Sequence, residues 1–328
     1  MVLILSRTDV ESLLTMKENI DVLEHAFRQH ALGTVKMPLR PTITLNEFNG
    51  FISFMPAYVG GDMNALGEKV VSGFHDNPKL GLPVIQGTVL LNDAKTGTLL
   101  AIMDGTFLTA MRTGAASGLA TRYMARKNAE KVGIFGAGVQ AETQLLAMCE
   151  VRGISAAKVF DTSLARAKSF HEKMREKVQA KISIANSARE VVEASDIVVT
   201  ATTSKEPVFN GEWLQPGCHI NGIGSHSGPG IKEVDGTTVK RSLVVADSKE
   251  ACLKEAGDLI DPITEGLISQ NHIHAELSEI VAGKKSGRVS DRDITFFKSV
   301  GLALEDASTA LKVFELAKKR GIGKDAVI

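Results

Sequence analysis

The chain has 328 residues, 44% hydrophobic and 23% charged, with 38 Lys plus Arg against 38 Asp plus Glu. That length holds about two ordinary domains and that composition a sizeable core, which excludes a small cross-linked module and a disordered chain. The even charge balance offers no electrostatic footprint for nucleic acid or an anionic membrane, so neither is expected as a partner.

The N-terminal run MVLILS is short, with no basic leader and no small-residue cleavage site, so no signal peptide is expected. No stretch approaches the roughly 20 apolar residues that cross a bilayer. Cys149, Cys218 and Cys252 lie far apart without CxxC spacing, which suits buried packing in a reducing compartment; the expected location is the cytoplasm. From Asp9 to Leu32, Val10, Leu13, Leu14, Ile20, Leu23, Ala26 and Phe27 recur at spacings of three and four. This predicts one amphipathic helix, N-capped by Thr8 with Glu11 reaching back. From Phe51 to Met103 the runs FISFMPAYV, VIQGTVLLN and LLAIM, broken by Gly, Pro, Asn and Asp, predict a strand meander and so an α+β first domain.

Between Thr121 and Gly301 apolar β-rich runs (KVGIF, AAKVF, ISIA, DIVVTAT, CHINGIG, SLVVAD) alternate with helix-like stretches. Strands alternating with helices imply a parallel sheet, so the fold class is α/β: a Rossmann-like dinucleotide-binding domain beside the α+β one. The segment LALEDASTALKVFELAKK after Gly301 is amphipathic and either completes the second domain or returns to the first.

The sharpest local signal is VGIFGAGVQA, residues 132–141, a buried-strand run ending in GxGxxA and opening a helix. Gly136 permits the tight turn, Gly138 lets backbone approach a pyrophosphate, and Ala141 allows close helix packing; the helix N-terminus supplies free N–H groups. The next strand ends at Asp161, where a carboxylate would accept hydrogen bonds from ribose hydroxyls. It repels a 2′-phosphate and so favours NAD(H), while Arg166 and Lys168 nearby keep NADP(H) as the alternative. Thr200 to Thr203 end a strand, where an open parallel sheet places its ligand; strand propensity and turn polarity explain them equally well.

Three cations sit in apolar or small-residue surroundings: Arg40 in MPLRP, Lys69 in GEKVV and Arg112 in TAMRTGAAS. A buried cation needs an anion or several acceptors. For each alone, an ion pair with a nearby Asp or Glu is the commoner explanation; together they point to a site for a substrate carboxylate. Arg112 is the strongest, because Gly114, Ala115, Ala116 and Gly118 let backbones approach. A GxSxG elbow, HEXXH and a Walker loop are absent. His272 and His274 lack a further ligand set, so no metal is expected.

These residues resemble the ornithine cyclodeaminase and mu-crystallin family. The resemblance rests on FMPAY (54–58), the block from Gly87 to Ala125, VGIFGAGVQA, the GEWLQPGCHINGIGS run from Gly211 and FFKSVGLALED (296–306), and it is nearest to the ketimine reductase branch. It implies a homodimer whose substrate and dimerisation domain comprises residues 1–118 with a C-terminal helix at 303–328, and a Rossmann domain at 119–302. It implies a small amino or imino acid substrate held by Arg40, Ser53, Met55, Lys69 and Arg112, with Lys69, Arg112, Ser225 and His226 as the catalytic set. The implied cofactor set is Arg112, Thr113, Gly136, Ala137, Gly138, Val139, Gln140, Asp161, Thr162, Thr200, Ala201, Thr202, Ile223, Gly224, Ser299, Val300 and Gly301.

Two departures narrow the activity. Cyclodeaminases have an Asp in the loop where this chain reads Ser225-His226-Ser227, and an acid where it has Ser53; archaeal alanine dehydrogenases look to carry Arg at the Ser53 position. The expected activity is therefore reduction of a cyclic imino acid, Δ1-pyrroline-2-carboxylate or its six-membered relative, to L-proline or L-pipecolate. The alternatives are ornithine or lysine cyclodeamination, alanine dehydrogenation, and a non-enzymatic ligand-binding role.

Overall fold

The computed structural model describes residues 1–224 and 228–328. It divides into two compact units, residues 1–112 with 302–328, and residues 113–301.

Unit 1 is built on a mixed sheet. Its strands are β1 (Val2–Leu5), β2 (Val35–Lys36), β3 (Thr42–Leu45), β4 (Gly50–Val59), β5 (Ala65–Phe74), β6 (Ile85–Asp93), β7 (Leu99–Asp104) and, far along the chain, β16 (Lys324–Ala326). They lie in the order β16-β1-β7-β6-β5-β4-β2, with β3 on β4. Side chains alternate across a strand, so Ser53, Met55, Ala57 and Val59 of β4 are buried on one face, as are Ala65 and Lys69 of β5. The other face is half-exposed and apolar, with Phe54, Tyr58, Leu66, Val70, Leu90 and Ile102.

Where one N-terminal helix is expected, two form: α1 (Arg7–Leu13) and α2 (Met16–Ala31). The expected cap at Thr8 is corrected as well. Ser6 and Asp9 make one capping box, Thr15 and Glu18 the next, so a second start signal interrupts an apolar spacing that runs straight across the break.

Helix α11 (Ala303–Arg320) covers the buried face of this sheet, packing on β4, β5 and α2. It comes so close that a Cβ on Gly67 would stand 3.3 Å from Ala307 Cα. The expected C-terminal helix at 303–328 is shorter than read: Gly321, at φ +66, ends it, and β16 then pairs antiparallel with β1.

Unit 2 is an eight-stranded sheet in the order β10-β9-β8-β11-β12-β15-β13-β14, every pairing parallel. Its strands are β8 (Lys131–Phe135), β9 (Ala156–Phe160), β10 (Lys181–Ile184), β11 (Ile197–Thr200), β12 (His219–Gly222), β13 (Ser242–Ala246), β14 (Ile273–Glu276) and β15 (Ile294–Lys298). The crossovers include α4 (Val139–Val151), α5 (Leu164–Met174), α6 (Ala188–Glu193), α7 (Gly236–Arg241), α8 (Lys249–Glu255), α9 (Gly257–Thr264) and α10 (Leu277–Val281). The order of the first strands, with reversal at β8 and β11, is the Rossmann arrangement. Helix α3 (Gly105–Met124) contains the division at 112/113. No described helix is long and apolar enough to cross a membrane.

Candidate active site

In unit 1 the buried face of β5 carries Lys69 at 1% exposure, opposite Met55 on β4 and Val89 on β6. A lysine here has no water to solvate it, and its partner comes from 237 residues on: its Nζ donates to Asp306 of α11 at 3.0 Å. Arg112 on α3 is 4% exposed. It gives Nε to Asp306 at 2.9 Å and Nη1 to Glu305 at 2.7 Å. Both acids are wholly buried. The ion-pair reading therefore holds for Lys69 and Arg112, yet the cations also converge. Burial, then Arg112, and further down Arg40, push the Lys69 ammonium down to about 8 although Asp306 opposes them. Burial acts against the Arg112 charge too, but Asp306 and Glu305 outweigh it and hold its pKa above the ordinary value. Among the described residues Nη2 of Arg112 makes no hydrogen bond, so one edge of the guanidinium is left for a further acceptor.

Arg40 points Nη1 at Met55 Sδ, 3.9 Å away. Ser53 is 4% exposed and shares a hydroxyl–hydroxyl bond of 2.7 Å with Thr42. Ser53, Met55 and Lys69 thus occupy one face of the sheet, with Arg40 and Arg112 turned to the same group of charges.

In unit 2 the turn after β8 has the form the motif predicts. Gly136 has φ +95, and a Cβ there would stand 2.4 Å from Ala201 O, so any other residue would be both strained and crowded. Gly138 is the N-cap of α4, with no side chain capping the helix. A Cβ on it would meet nothing within 4 Å. Among the described residues no atom requires glycine at 138, whereas a phosphate drawn to the free N–H groups of α4 would need that space. Asp161 follows β9: its Oδ2 accepts the Ala137 N–H at 3.0 Å, and its Oδ1 accepts Arg166 Nη2 at 2.9 Å and Ser163 N at 2.8 Å. The residues present fit a dinucleotide.

The remaining expected cofactor positions follow strand ends of unit 2, Thr162 after β9, Ala201 and Thr202 after β11, Ile223 and Gly224 after β12, and Ser299 to Gly301 after β15. Val139 and Gln140 open α4, and the Thr113 carbonyl accepts from Gln144 of that helix. Ser225 and His226 lie outside the described residues.

Sequence reasoning missed the acids. Glu305 and Asp306 stand in the first turn of α11, where carboxylates are ordinary partners of the helix dipole, so nothing local marks them as partners of Lys69 and Arg112. In unit 2 it missed Glu233, Asp247, Asp258 and Lys298, all wholly buried. Asp247 Oδ2 accepts the N–H groups of Val300 and Gly301 at 2.7 and 2.8 Å and the Ser299 hydroxyl at 2.9 Å, which fixes the loop after β15.

A Rossmann sheet with an open glycine turn, carried on one chain with a buried lysine–arginine cluster, defines a nucleotide-binding α/β protein equipped to hold an anion. The chain belongs to the ornithine cyclodeaminase/mu-crystallin family, whose profile matches residues 2–321. It is 52% identical to *Thermococcus litoralis* Δ1-pyrroline-2-carboxylate reductase, solved in complex with NADH and L-proline, over 99% of this chain and 100% of that one, with a TM-score of 0.96. It is 37% identical to an archaeal alanine dehydrogenase solved as a dimer with bound NAD, over 98% of both chains, with a TM-score of 0.92. Δ1-Pyrroline-2-carboxylate reductase of *Bacillus cereus* is 37% identical over 98% of both sequences.

Proposed function

We propose that the protein is an NAD(P)H-dependent reductase of cyclic α-imino acids, an oxidoreductase that converts Δ1-pyrroline-2-carboxylate or its six-membered relative to L-proline or L-pipecolate. The observation that carries this reading is the buried Lys69–Asp306–Arg112–Glu305 cluster, which can take a carboxylate and offers no acid for a substrate's distal ammonium at Ser53. Unit 1 then serves substrate and dimerisation, and unit 2 the dinucleotide. Asp161 would accept from a ribose of NADH, and the bound cofactor would supply a hydride for the imine carbon. Gly136, Gly138 and the start of α4 would hold its pyrophosphate.

The chain's own residues bind and orient. Arg112 offers Nη2 to the substrate carboxylate, while Asp306 and Glu305 fix the guanidinium plane so that little freedom is lost on binding. Lys69, titrating near 8, is mostly protonated at neutral pH and adds a second positive contact. The imine nitrogen arrives protonated and already electrophilic, so no strong general acid is required. Ser53 leaves room for a compact uncharged ring.

The half-exposed apolar face of the unit 1 sheet supports a homodimer, and the separate free cysteines support a cytoplasmic location. The purified protein should oxidise NADH with either cyclic imine. Turnover of pyruvate with ammonia but of neither imine would replace this reading with an alanine dehydrogenase. Ammonia released from ornithine or lysine at constant nicotinamide absorbance would replace it with a cyclodeaminase.

A further inference from the structure

Glu233 lies in the connection between β12 and α7, wholly buried, and among the described residues four hydrogen bonds reach its carboxylate, all from the ends of two strands. Its Oε1 accepts the Thr202 N–H at 2.6 Å and the Thr202 hydroxyl at 2.7 Å; its Oε2 accepts the Thr200 hydroxyl at 2.8 Å and the Gly224 N–H at 2.6 Å. Two of these donors are backbone N–H groups, one on each oxygen, and they cannot turn away.

The backbone N–H groups of Glu233 and Val234 donate in turn to Asp258 Oδ1 at 2.7 and 3.0 Å. Asp258 Oδ2 is 2.8 Å from Nζ of Lys298, the last residue of β15, and both are wholly buried. The chain of contacts therefore joins the carboxyl ends of β11, β12 and β15, which are neighbours in the sheet. It also reaches β8, because Ala201, between the two threonines that Glu233 grips, is the residue whose carbonyl crowds Gly136. Burial pushes the Glu233 carboxyl up, and Lys298 works against that push. Burial alone would lower Lys298, but Asp258 and Glu233 reverse the effect and raise it.

An open parallel sheet binds its ligand outside the carboxyl ends of its strands, with the two halves of a dinucleotide on either side of the reversal in strand order. Asp161 and the glycine turn lie on the β8–β9 side, whereas β11 and β12 lie beyond the reversal. We infer that Glu233 is a positioning residue for the cofactor, which fixes Thr200 and Thr202 at the end of β11 and Gly224 after β12 as the bed of its nicotinamide half. This rests on the reductase reading above, because it needs a dinucleotide bound along this edge.

Glu233→Gln tests it. The substituted amide keeps the shape but must aim its NH2 at a backbone N–H of Thr202 or Gly224, so those residues lose their fixed position. NADH and ADP-ribose are titrated onto wild-type and variant protein. NADH binding should weaken about tenfold or more, the scale of losing charge-assisted bonds, while ADP-ribose, which lacks the nicotinamide, should bind within about twofold of wild type. Equal losses for both ligands would make Glu233 a general structural residue and overturn the inference, as would unchanged NADH affinity. If the glutamine variant does not fold, Thr200→Val removes one of the four bonds at constant shape. NADH should then weaken about threefold with ADP-ribose unchanged, and no selective change would overturn the inference. Wild-type protein that binds no NADH would instead refute the reductase reading, and this inference with it.

Discussion

Replacing Asp306 with Asn removes a carboxylate that touches both Lys69 and Arg112, at 3.0 and 2.9 Å, while keeping the side chain's size. An opposite charge at such range moves a pKa by about 1–3 units. Asp306 is what opposes burial and the two guanidiniums at Lys69, so without it the ammonium, now near 8, should fall to about 6. On the proposed reading the protonated lysine helps hold the substrate carboxylate, so activity should be lost as pH rises through its pKa. The alkaline limb of kcat/KM for imine reduction should therefore move from about 8 to about 6. At about pH 7 the protonated fraction drops roughly tenfold, and kcat/KM with it. Breaking a buried pair also costs about 3–5 kcal/mol of stability, which denaturant titration will register separately. The assay is NADH consumption with Δ1-pyrroline-2-carboxylate across the pH range, on variant shown to be folded. A folded Asp306→Asn protein whose alkaline limb stays near 8 refutes the account of Lys69.

Three further outcomes follow from the geometry. Gly136→Ala places a Cβ 2.4 Å from Ala201 O at φ +95, so it should cost about 1–3 kcal/mol of stability and weaken NADH at least tenfold in a direct titration. Asp161→Ser removes the carboxylate that Arg166 grips and frees that guanidinium for a 2′-phosphate; the ratio of kcat/KM for NADPH to that for NADH should rise about tenfold or more. Val70→Glu puts a charge in the middle of the half-exposed apolar sheet face; if that face forms the proposed homodimer, light scattering should show monomer for the variant and dimer for the unaltered protein.

Much of unit 2 is legible from sequence because its strands are continuous buried runs and its turn must be glycine; KVGIF, AAKVF, DIVVTAT and CHINGIG all contain strands. Unit 1 is harder. Strand β5 contains Glu68, Lys69 and two glycines, which hide a strand whose burial depends on a helix more than 200 residues away. The single N-terminal helix fails for the opposite reason: apolar spacing carries through Leu14, and only the second capping box, Thr15 with Glu18, betrays the break. The cations of the site are conspicuous because their neighbours are apolar. Their acids are not, because a carboxylate in the first turn of a helix needs no partner to explain it.

Unit 1 is discontinuous, closed by α11 and β16 from the last 26 residues of the chain. During synthesis the β4–β5 hairpin emerges long before Glu305 and Asp306 do, so Lys69 and Arg112 lack these counter-charges until α11 has been made. The nascent chain must keep that face of the sheet hydrated, or chaperoned, while the whole of unit 2 is made. A ribosome that stops short of residue 303 would release a molecule with a complete unit 2 and an unfinished unit 1. Such a fragment should still bind NADH, and it would be open to proteolysis along the bare sheet.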